Sequence, residues 1–198
     1  MKTRIINVKK ICLVTVFSAL GVIVSPYTWF VVFGTKANPT QHMINAVLGV
    51  MVGPFWAAVS AVFIGTVRNM LGIGTIYAFP GGVPGGIIVG LVYQLLRRLG
   101  VSEKTSLVAA LFEPVGTLLI GAPLALFLVA PWLGTKSLLD LLSNQGSIFA
   151  FFIFSFGWAI SCVSGSVIGF LLLFFLKNIG ISRETLFWSK KSIKPNRD

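Results

Sequence analysis

Long apolar runs separated by short polar segments are the dominant pattern in this chain. A membrane-crossing helix needs about 20 mainly apolar residues, and most of these runs approach or exceed that length. The pattern predicts an all-α integral membrane protein, a bundle of six transmembrane helices forming a single transmembrane domain over residues 1–198. The predicted spans are residues 9–24, 41–53, 54–70, 82–97, 105–130 and 147–177. We also expect an outer loop from Pro131 to Ser147, and a cytoplasmic interfacial helix and tail at 178–198.

The stretch around Gly53 and Pro54 fits either one helix kinked at the proline or two helices joined there. Ten residues of helix rise only about 15 Å, half of the hydrocarbon core. Both ends of the chain are strongly basic, and basic segments stay on the cytoplasmic side. Both termini should therefore be cytoplasmic, which requires an even number of spans. Two helices give six spans and one gives five, so we favour two.

The composition excludes a soluble domain. Charged residues make up 11% of the chain and hydrophobic residues 56%, whereas soluble domains carry roughly 25% charged residues. Such a chain could not cover its surface with polar groups. The predicted spans also leave no stretch within these 198 residues for a soluble catalytic domain.

The formal net charge of +11 raises the possibility of a nucleic-acid partner. The basic residues, however, cluster at the ends of the predicted spans and just beyond them. They are Lys2, Arg4, Lys9 and Lys10, then Arg97, Arg98 and Lys104, then Lys177, Arg183, Lys190, Lys191, Lys194 and Arg197. Clusters in these places follow the positive-inside rule and suit an anionic inner leaflet. The charge therefore indicates a membrane, not nucleic acid.

Polar residues among the apolar runs are concentrated between residues 38 and 82. Gln41 and Asn45 are four residues apart and share one helix face, with His42 beside them. Arg68 and Asn69 close the next predicted helix at the same outer level. Polar groups inside a membrane cost free energy and by default mark a functional site. For His42 and Arg68, a role as an interface anchor or helix cap is an equal alternative.

Glu113 lies well inside the fifth predicted span. An unpaired carboxylate there is expensive, so it should be protonated, paired or hydrogen-bonded to a ligand. Among the charged residues, Arg68 is the partner that the sequence favours.

Aromatic residues could bind a flat ring. Phe154 and Trp158 lie one helical turn apart in the sixth span, although such pairs are more often part of the core. Trp29 belongs to an unusually apolar loop, Ser25 to Thr40, which we expect to fold back over the bundle as a lid or an interfacial belt.

Enzyme signatures do not occur in the sequence. Gly134-Thr135-Lys136-Ser137 lacks the spacing of a phosphate loop, and there is neither a G-x-S-x-G elbow nor an H-E-x-x-H pair. We therefore predict that the chain is not an enzyme. One His, one Glu and one Arg could still serve an intramembrane hydrolase, so that alternative stays open.

The order of several short motifs resembles the substrate-binding S component of an energy-coupling factor (ECF) transporter. Within that group the chain is most similar to the ThiW type, assigned to the thiazole precursor of thiamine. The motifs are Gln41-His42-Met43-Ile44-Asn45, Gly53-Pro54, Arg68-Asn69, Gly72-x-Gly74-Thr75 and Ala78-Phe79-Pro80-Gly81, together with Glu113 and Gly116-Thr117.

The resemblance implies a multi-pass protein of a prokaryotic plasma membrane that captures a vitamin precursor from outside. It implies three partner subunits, a transmembrane coupling protein and two cytoplasmic ATPases, and no cofactor in this chain, since the partners use the ATP. S components commonly dock through an A-x-x-x-A-like motif in the first helix, which matches Thr15 and Ala19 here.

Hydroxyethylthiazole is the ligand that these residues favour, because it is small, flat, nearly uncharged and ends in a hydroxyl. Its pocket would need an aromatic slot and a few hydrogen-bonding groups. The predicted site residues are Trp29, Gln41, His42, Asn45, Arg68, Asn69, Glu113, Phe154 and Trp158. An S component for another compound, such as the aminopyrimidine precursor or thiamine itself, is the closest alternative.

Overall fold

The computed structural model describes residues 8–32 and 35–187, and this part of the chain is almost entirely helical. The helices are α1 (Val8–Thr28), α2 (Pro39–Met51), α3 (Pro54–Met70), α4 (Ala78–Arg98), α5 (Glu103–Leu133), α6 (Lys136–Asn178) and α7 (Arg183–Phe187). Between α1 and α2 lies a two-stranded antiparallel hairpin of β1 (Phe30–Val32) and β2 (Thr35–Ala37). The prediction of an all-α protein is confirmed. The predicted tail beyond Phe187 lies outside the described residues.

Four helices of the described chain are long and apolar enough to cross a membrane: α1, α4, α5 and α6. By contrast, α2 has 13 residues and α3 has 17, fewer than the roughly 20 that a full span needs. The count of six membrane spans therefore stays a prediction.

The segment around Gly53 forms two helices. Gly53 has φ 99°, a backbone angle that glycine adopts readily, and it breaks the chain between α2 and α3. Pro54 then opens α3, where the missing amide hydrogen is no loss because the first turn has no helical acceptor for it.

The centre of the bundle is α2. It is buried over almost its whole length, and it packs against α1, α3, α4 and α6. Beyond Asn45 the helix is apolar on every side, and such a segment belongs in a core. The polar side chains in its first turns are consequently carried into the interior as well.

Small residues on α6 let α2 approach closely. A Cβ added at Gly165 would lie 2.7 Å from the Cβ of His42, and one added at Gly169 would lie 2.8 Å from the Cβ of Ala46. In lipid, where apolar surfaces gain little by leaving solvent, such close packing is a main source of helix association. The glycines of α6 therefore fix where the first turns of α2 lie.

Helix α5 is irregular. It passes from a 3₁₀ segment (Leu107–Phe112) to one α-helical turn (Glu113–Gly116), and then to π-helical segments (Thr117–Gly121 and Leu124–Val129). Pro114 and Pro123 lack the amide hydrogen that a regular helix would use. Departures of this kind inside a helix often accompany functional sites.

The predicted outer loop from Pro131 to Ser147 is wrong, because most of it is helical. Gly134, with φ 64°, ends α5, and α6 begins at Lys136. Gly146 is non-helical and divides α6 into a short polar helix and the long apolar one. Leu138 anchors the short helix against a cluster that contains Ala130 and Phe154. Helix α4 also begins earlier than predicted, at Ala78.

The other end of the bundle is held by charges around α7. Lys177 pairs with Glu103, and Arg97 pairs with Glu184. The backbone N–H of Glu184 donates to Glu103 Oε1 (3.1 Å). Arg183 Nη1 donates to the carbonyl of Val50 at the end of α2 (3.0 Å). These contacts join α2, α4, α5, α6 and α7 at one end.

Candidate functional site

A cavity of about 240 Å³ opens at the end of the bundle opposite to α7. The start of α2, the end of α3, the start of α4 and both parts of α6 contribute to its wall. Its lining residues are Asn38, Gln41, His42, Arg68, Thr75, Tyr77, Ala78, Gly81, Gly82, Thr135, Ser137, Leu138, Phe154, Trp158 and Ser161. Five of the nine predicted site residues are among them: Gln41, His42, Arg68, Phe154 and Trp158.

The N-terminus of α2 brings Gln41 and His42 to the cavity. Asn38 caps this helix, since its Oδ1 accepts from the backbone N–H of Gln41 (3.2 Å). The cap is itself fixed: the backbone N–H of Asn38 donates to Ser161 Oγ (2.8 Å) and its side-chain amide donates to the carbonyl of Ser25 (3.3 Å). The first turn of α2 is thus held to both α1 and α6.

Beneath the cavity, the carboxylate of Glu113 is fully buried and collects three hydrogen bonds on one oxygen. Its Oε1 lies 2.7 Å from His42 Nδ1, 3.1 Å from Asn45 Nδ2 and 3.0 Å from Thr117 Oγ1. Asn45 also donates to the carbonyl of Gly82 (2.9 Å). Glu113 and Asn45 therefore do not line the cavity, but they hold His42, which does.

Helix α4 makes room for this carboxylate at Gly85. A Cβ at that position would overlap Glu113 Oε1 and would come within 2.8 Å of Thr117 Oγ1. Any larger residue at position 85 would have to displace the carboxylate or separate α4 from α5.

The contact between His42 and Glu113 determines what the imidazole can offer a ligand. When Nδ1–H donates to the carboxylate of a neutral histidine, the other ring nitrogen, Nε2, is an acceptor. When the ring is protonated, Nε2 is a donor instead. One proton therefore decides whether His42 accepts a hydrogen bond from a ligand hydroxyl or donates one.

The expected pairing of Arg68 with Glu113 is wrong. Glu113 Oε1 accepts from Asn45 and Thr117 and contacts His42, which forms its ion pair among the described residues. Its other oxygen, Oε2, is buried with no hydrogen-bond partner in the described part of the chain. Arg68 is in the last turn of α3 and reaches the cavity wall from the side. The two differ in depth: Arg68 ends its helix, whereas Glu113 lies in the middle of α5.

Two polar atoms of the cavity wall are buried with no hydrogen-bond partner within the described chain, Gln41 Oε1 and Arg68 Nε. Buried polar groups are nearly always paired, and an unpaired one costs about 1–3 kcal/mol. One acceptor and one donor on the same wall are thus available to a polar ligand.

The aromatic pair of α6 forms the apolar side of the cavity. The ring centroids of Phe154 and Trp158 lie 4.8 Å apart with the planes inclined by 45°, and both side chains are buried. The indole packs on Gly81 of α4, where an added Cβ would lie 3.3 Å from it.

Besides Asn45 and Glu113, two more predicted site residues lie outside the cavity wall. Trp29 lies between α1 and β1 with 41% of its surface exposed. Asn69 is half-buried beside Arg68, and its amide nitrogen is buried with no hydrogen-bond partner in the described part of the chain. The hairpin itself does pack on the bundle, since Ala37 of β2 is buried and β2 contacts α6.

The sequence did not predict the polar rim of the cavity, which includes Tyr77, Thr135 and Ser137. Tyr77 Oη lies 2.6 Å from Thr135 Oγ1, so the start of α4 is joined to the turn between α5 and α6. The short helix of α6 brings Ser137 and Leu138 to the same rim. Its many polar residues favour a loop, but Leu138, Leu141 and Leu142, at helix positions i, i+3 and i+4, are a signal that could have predicted a helix. Thr117 was also missed as a partner of Glu113, although the two are four residues apart on one helix.

The predicted docking residues lie far from the cavity in the sequence and on another surface. Thr15 and Ala19 are exposed on α1, whereas Val14, Ser18 and Gly21 of the same helix are buried. Because small exposed side chains present little bulk, this face leaves the backbone of α1 accessible.

One comparison with known proteins identifies a relationship. The family model described as thiamine-precursor transporter protein (ThiW) matches residues 11–179. The match includes the helices that build the cavity and the Glu113 network. No curated protein and no solved structure matches the chain.

Proposed function

Because the chain belongs to the ThiW family of thiamine-precursor transporter proteins, we propose that it is the substrate-capturing subunit of an ATP-driven ECF-type transporter and that its ligand is hydroxyethylthiazole. In this account the cavity between α2, α3, α4 and α6 is the binding site. One observation carries the proposal: a small cavity has both an aromatic wall and two buried polar atoms, Gln41 Oε1 and Arg68 Nε, with no hydrogen-bond partner in the described chain.

The size of the cavity favours a single-ring ligand. Pockets for drug-sized molecules are roughly 300–1,000 Å³, and this cavity, at about 240 Å³, is smaller. The two linked rings of thiamine need more room than one ring does, so they fit a cavity of this size less well. A thiazole with a methyl and a hydroxyethyl group has the more suitable size.

The polar groups favour a neutral ligand with both an acceptor and a hydroxyl. The Arg68 Nε donor suits the ring nitrogen of the thiazole, whereas Gln41 Oε1 and a neutral His42 can accept from its hydroxyl. Thiamine is a cation, and it would meet the guanidinium of Arg68, whereas none of the described lining residues carries a carboxylate. The aminopyrimidine precursor is the nearest alternative ligand, since it is also a single flat ring.

The charge of the wall also favours the alcohol over its phosphate ester. Phosphate sites gather several converging cations or backbone N–H groups. Arg68 is the one Lys or Arg among the described residues that line the cavity, so a dianionic group would be weakly compensated.

The helix directions support an orientation. The cavity lies at the start of α2, the end of α3 and the start of α4, whereas the basic groups lie at the end of α4, at the end of α6 and around α7. Basic segments remain cytoplasmic. We infer that the protein is multi-pass in a prokaryotic plasma membrane, that both termini are cytoplasmic and that the cavity faces outward.

Energy for release would come from partners. The sequence carries no phosphate loop, so we assign ATP hydrolysis to two cytoplasmic ATPases, and docking of the coupling protein to the exposed Thr15 and Ala19 face. The chain itself would use no cofactor and perform no chemistry on its ligand.

A competition among ligands tests the proposal. Purified protein is incubated with an equimolar panel of hydroxyethylthiazole, the aminopyrimidine alcohol, thiamine and unrelated vitamins, and the retained compound is identified by mass spectrometry. We expect stoichiometric retention of hydroxyethylthiazole in unchanged form. Retention of another compound would reject the ligand, and conversion of the ligand in the absence of ATPases would favour an intramembrane enzyme.

A further inference from the structure

A second cavity, of about 480 Å³, lies at the end of the bundle where α4 meets α7. Its lining contains three guanidinium groups, those of Arg97, Arg98 and Arg183, and one carboxylate, that of Glu184. The lining of this cavity therefore carries a net positive charge. Neither the family description nor the proposed transport function assigns a role to this cavity.

Two of the three arginines are already engaged. Arg97 pairs with Glu184 and also donates to the carbonyl of Val101. Arg183 donates to the carbonyl of Val50 (3.0 Å), and its guanidinium carbon lies 5.2 Å from the centre of the Tyr93 ring. Burial lowers the pKa of Arg183, because its charged form has lost water. An anion in the cavity would replace part of that lost solvation.

Arg98 is the available cation. It is exposed, and it forms no ion pair with another residue of the described chain. The carboxylate of Glu184 pairs with Arg97, and among the described residues that line this cavity there is no further carboxylate that could neutralise Arg98.

The exposed face of α4 leads to Arg98. Leu91, Leu95 and Arg98 occupy helix positions i, i+4 and i+7, which lie on one side. Leu91 and Leu95 are about half exposed, and Leu99 follows with 70% of its surface exposed. An apolar stripe in a membrane-spanning helix that ends at a cationic cavity matches the shape of a phospholipid, with its chains along the leucines and its headgroup at the arginines.

We propose that this cavity binds the phosphate-bearing headgroup of an anionic phospholipid, with Arg98 as the principal charge contact and Leu91 and Leu95 as the acyl-chain contact. The apolar stripe is the reason to assign the phosphate to a lipid and not to a free anion, because a soluble phosphate would gain nothing from Leu95. The site would act in the leaflet on the α7 side of the bundle.

Native mass spectrometry of the detergent-solubilised full chain tests this proposal, with titrations of phosphatidylglycerol and, separately, of phosphatidylcholine. We expect tighter binding of phosphatidylglycerol. Arg98→Gln should raise its Kd on the order of five-fold, the effect of one surface cation on an anionic lipid. Leu95→Gln should also weaken binding, whereas Lys104→Gln, which removes an exposed cation at the same end but outside the cavity, should change the Kd less than two-fold.

Three results would overturn the proposal. Equal affinity for the two lipids would show that the site does not select for the negative charge of the headgroup. If Lys104→Gln and Arg98→Gln weakened phosphatidylglycerol binding equally, the lipid would be attracted by the overall surface charge and not by a defined site. Displacement of the lipid by inorganic phosphate or glycerol 3-phosphate at comparable concentration, with no effect of Leu95→Gln, would identify a free-phosphate site.

Discussion

Nδ1 of His42 lies 2.7 Å from Oε1 of Glu113, although the two residues are 71 positions apart in the chain. The contact joins the first turns of the central helix α2 to the irregular middle of α5, and it lies directly beneath the cavity. Since Asn45 and Thr117 donate to the same oxygen, one carboxylate organises the polar side of the proposed binding site.

Removing that carboxylate should weaken both the site and the fold. Glu113→Ala leaves the groups of His42, Asn45 and Thr117 without their shared acceptor, and an unpaired buried group costs about 1–3 kcal/mol. We expect the Kd for hydroxyethylthiazole to rise about ten- to a hundred-fold, with a lower melting temperature in detergent. Asn45→Ala should weaken binding in the same range.

Two variants serve as controls for Glu113→Ala. Glu113→Gln keeps an acceptor oxygen of the same shape and should lose less affinity. Asp140→Asn removes an exposed carboxylate and should change neither the Kd nor the melting temperature. Unchanged binding in Glu113→Ala would show that the network is not part of the ligand site.

The two tryptophans that were predicted to contact the ligand should behave differently. Trp158 is buried in the cavity wall beside Phe154, whereas Trp29 lies outside the cavity. Trp158→Ala should weaken binding about ten-fold, because a well-placed aromatic contact contributes up to about 1.5 kcal/mol beyond its buried area. Trp29→Ala should alter the Kd less than two-fold. Titration calorimetry measures both values, and a larger effect of Trp29→Ala would move the ring-binding surface to the hairpin.

Docking to a coupling protein should depend on the small exposed residues of α1. Thr15→Leu or Ala19→Leu adds bulk where a partner helix would pack closely, and should prevent co-purification with the other subunits. Ligand binding by the isolated chain should persist, because neither residue lines the cavity. Ser143→Leu, at an exposed position on the short helix of α6, is the steric control. Loss of ligand binding in either α1 variant would indicate that this face is needed for the fold.

The orientation predicts opposite accessibility for the two ends of the bundle. Single cysteines replace Lys136 and Ser102, both exposed, in a background that carries Cys12→Ser and Cys162→Ala. A membrane-impermeant maleimide added to intact cells should label position 136 and spare position 102. The reverse pattern would show that the protein has the opposite orientation in the membrane. Labelling at both positions would show that the two positions lie on the same side of the membrane.

The sequence predicted the helical membrane fold because span length and charge placement are local signals. It also predicted that Gln41 and Asn45 share a helix face with His42 beside them, since helix periodicity determines this. The division between α2 and α3 followed from Gly53-Pro54 and the parity of the basic termini. The count of six membrane spans stays a prediction, because α2 and α3 are shorter than the roughly 20 residues of a full span.

Side-chain contacts between residues on different helices were harder to predict. Charge alone favoured Arg68 for Glu113, but the depth and rotation of α3 against α5 depend on packing that no single segment encodes. The glycines at 85, 165 and 169 set how closely α4 approaches α5 and how closely α6 approaches α2. In the sequence they indicate only that some helix packs closely there. The short helix of α6 resembles a loop because of its many polar residues, although Leu138, Leu141 and Leu142 follow helix periodicity. The rim that includes Thr135 and Leu138 was therefore missed.

The central claim is that this cavity selects hydroxyethylthiazole over its chemical relatives. Isothermal titration of the purified chain with hydroxyethylthiazole, its phosphate ester, the aminopyrimidine alcohol and thiamine measures this directly. We predict one site per chain and the lowest Kd for hydroxyethylthiazole, with weaker binding of the phosphate ester because Arg68 is the one Lys or Arg on the described cavity wall. Tighter binding of any of the other three compounds would contradict the account.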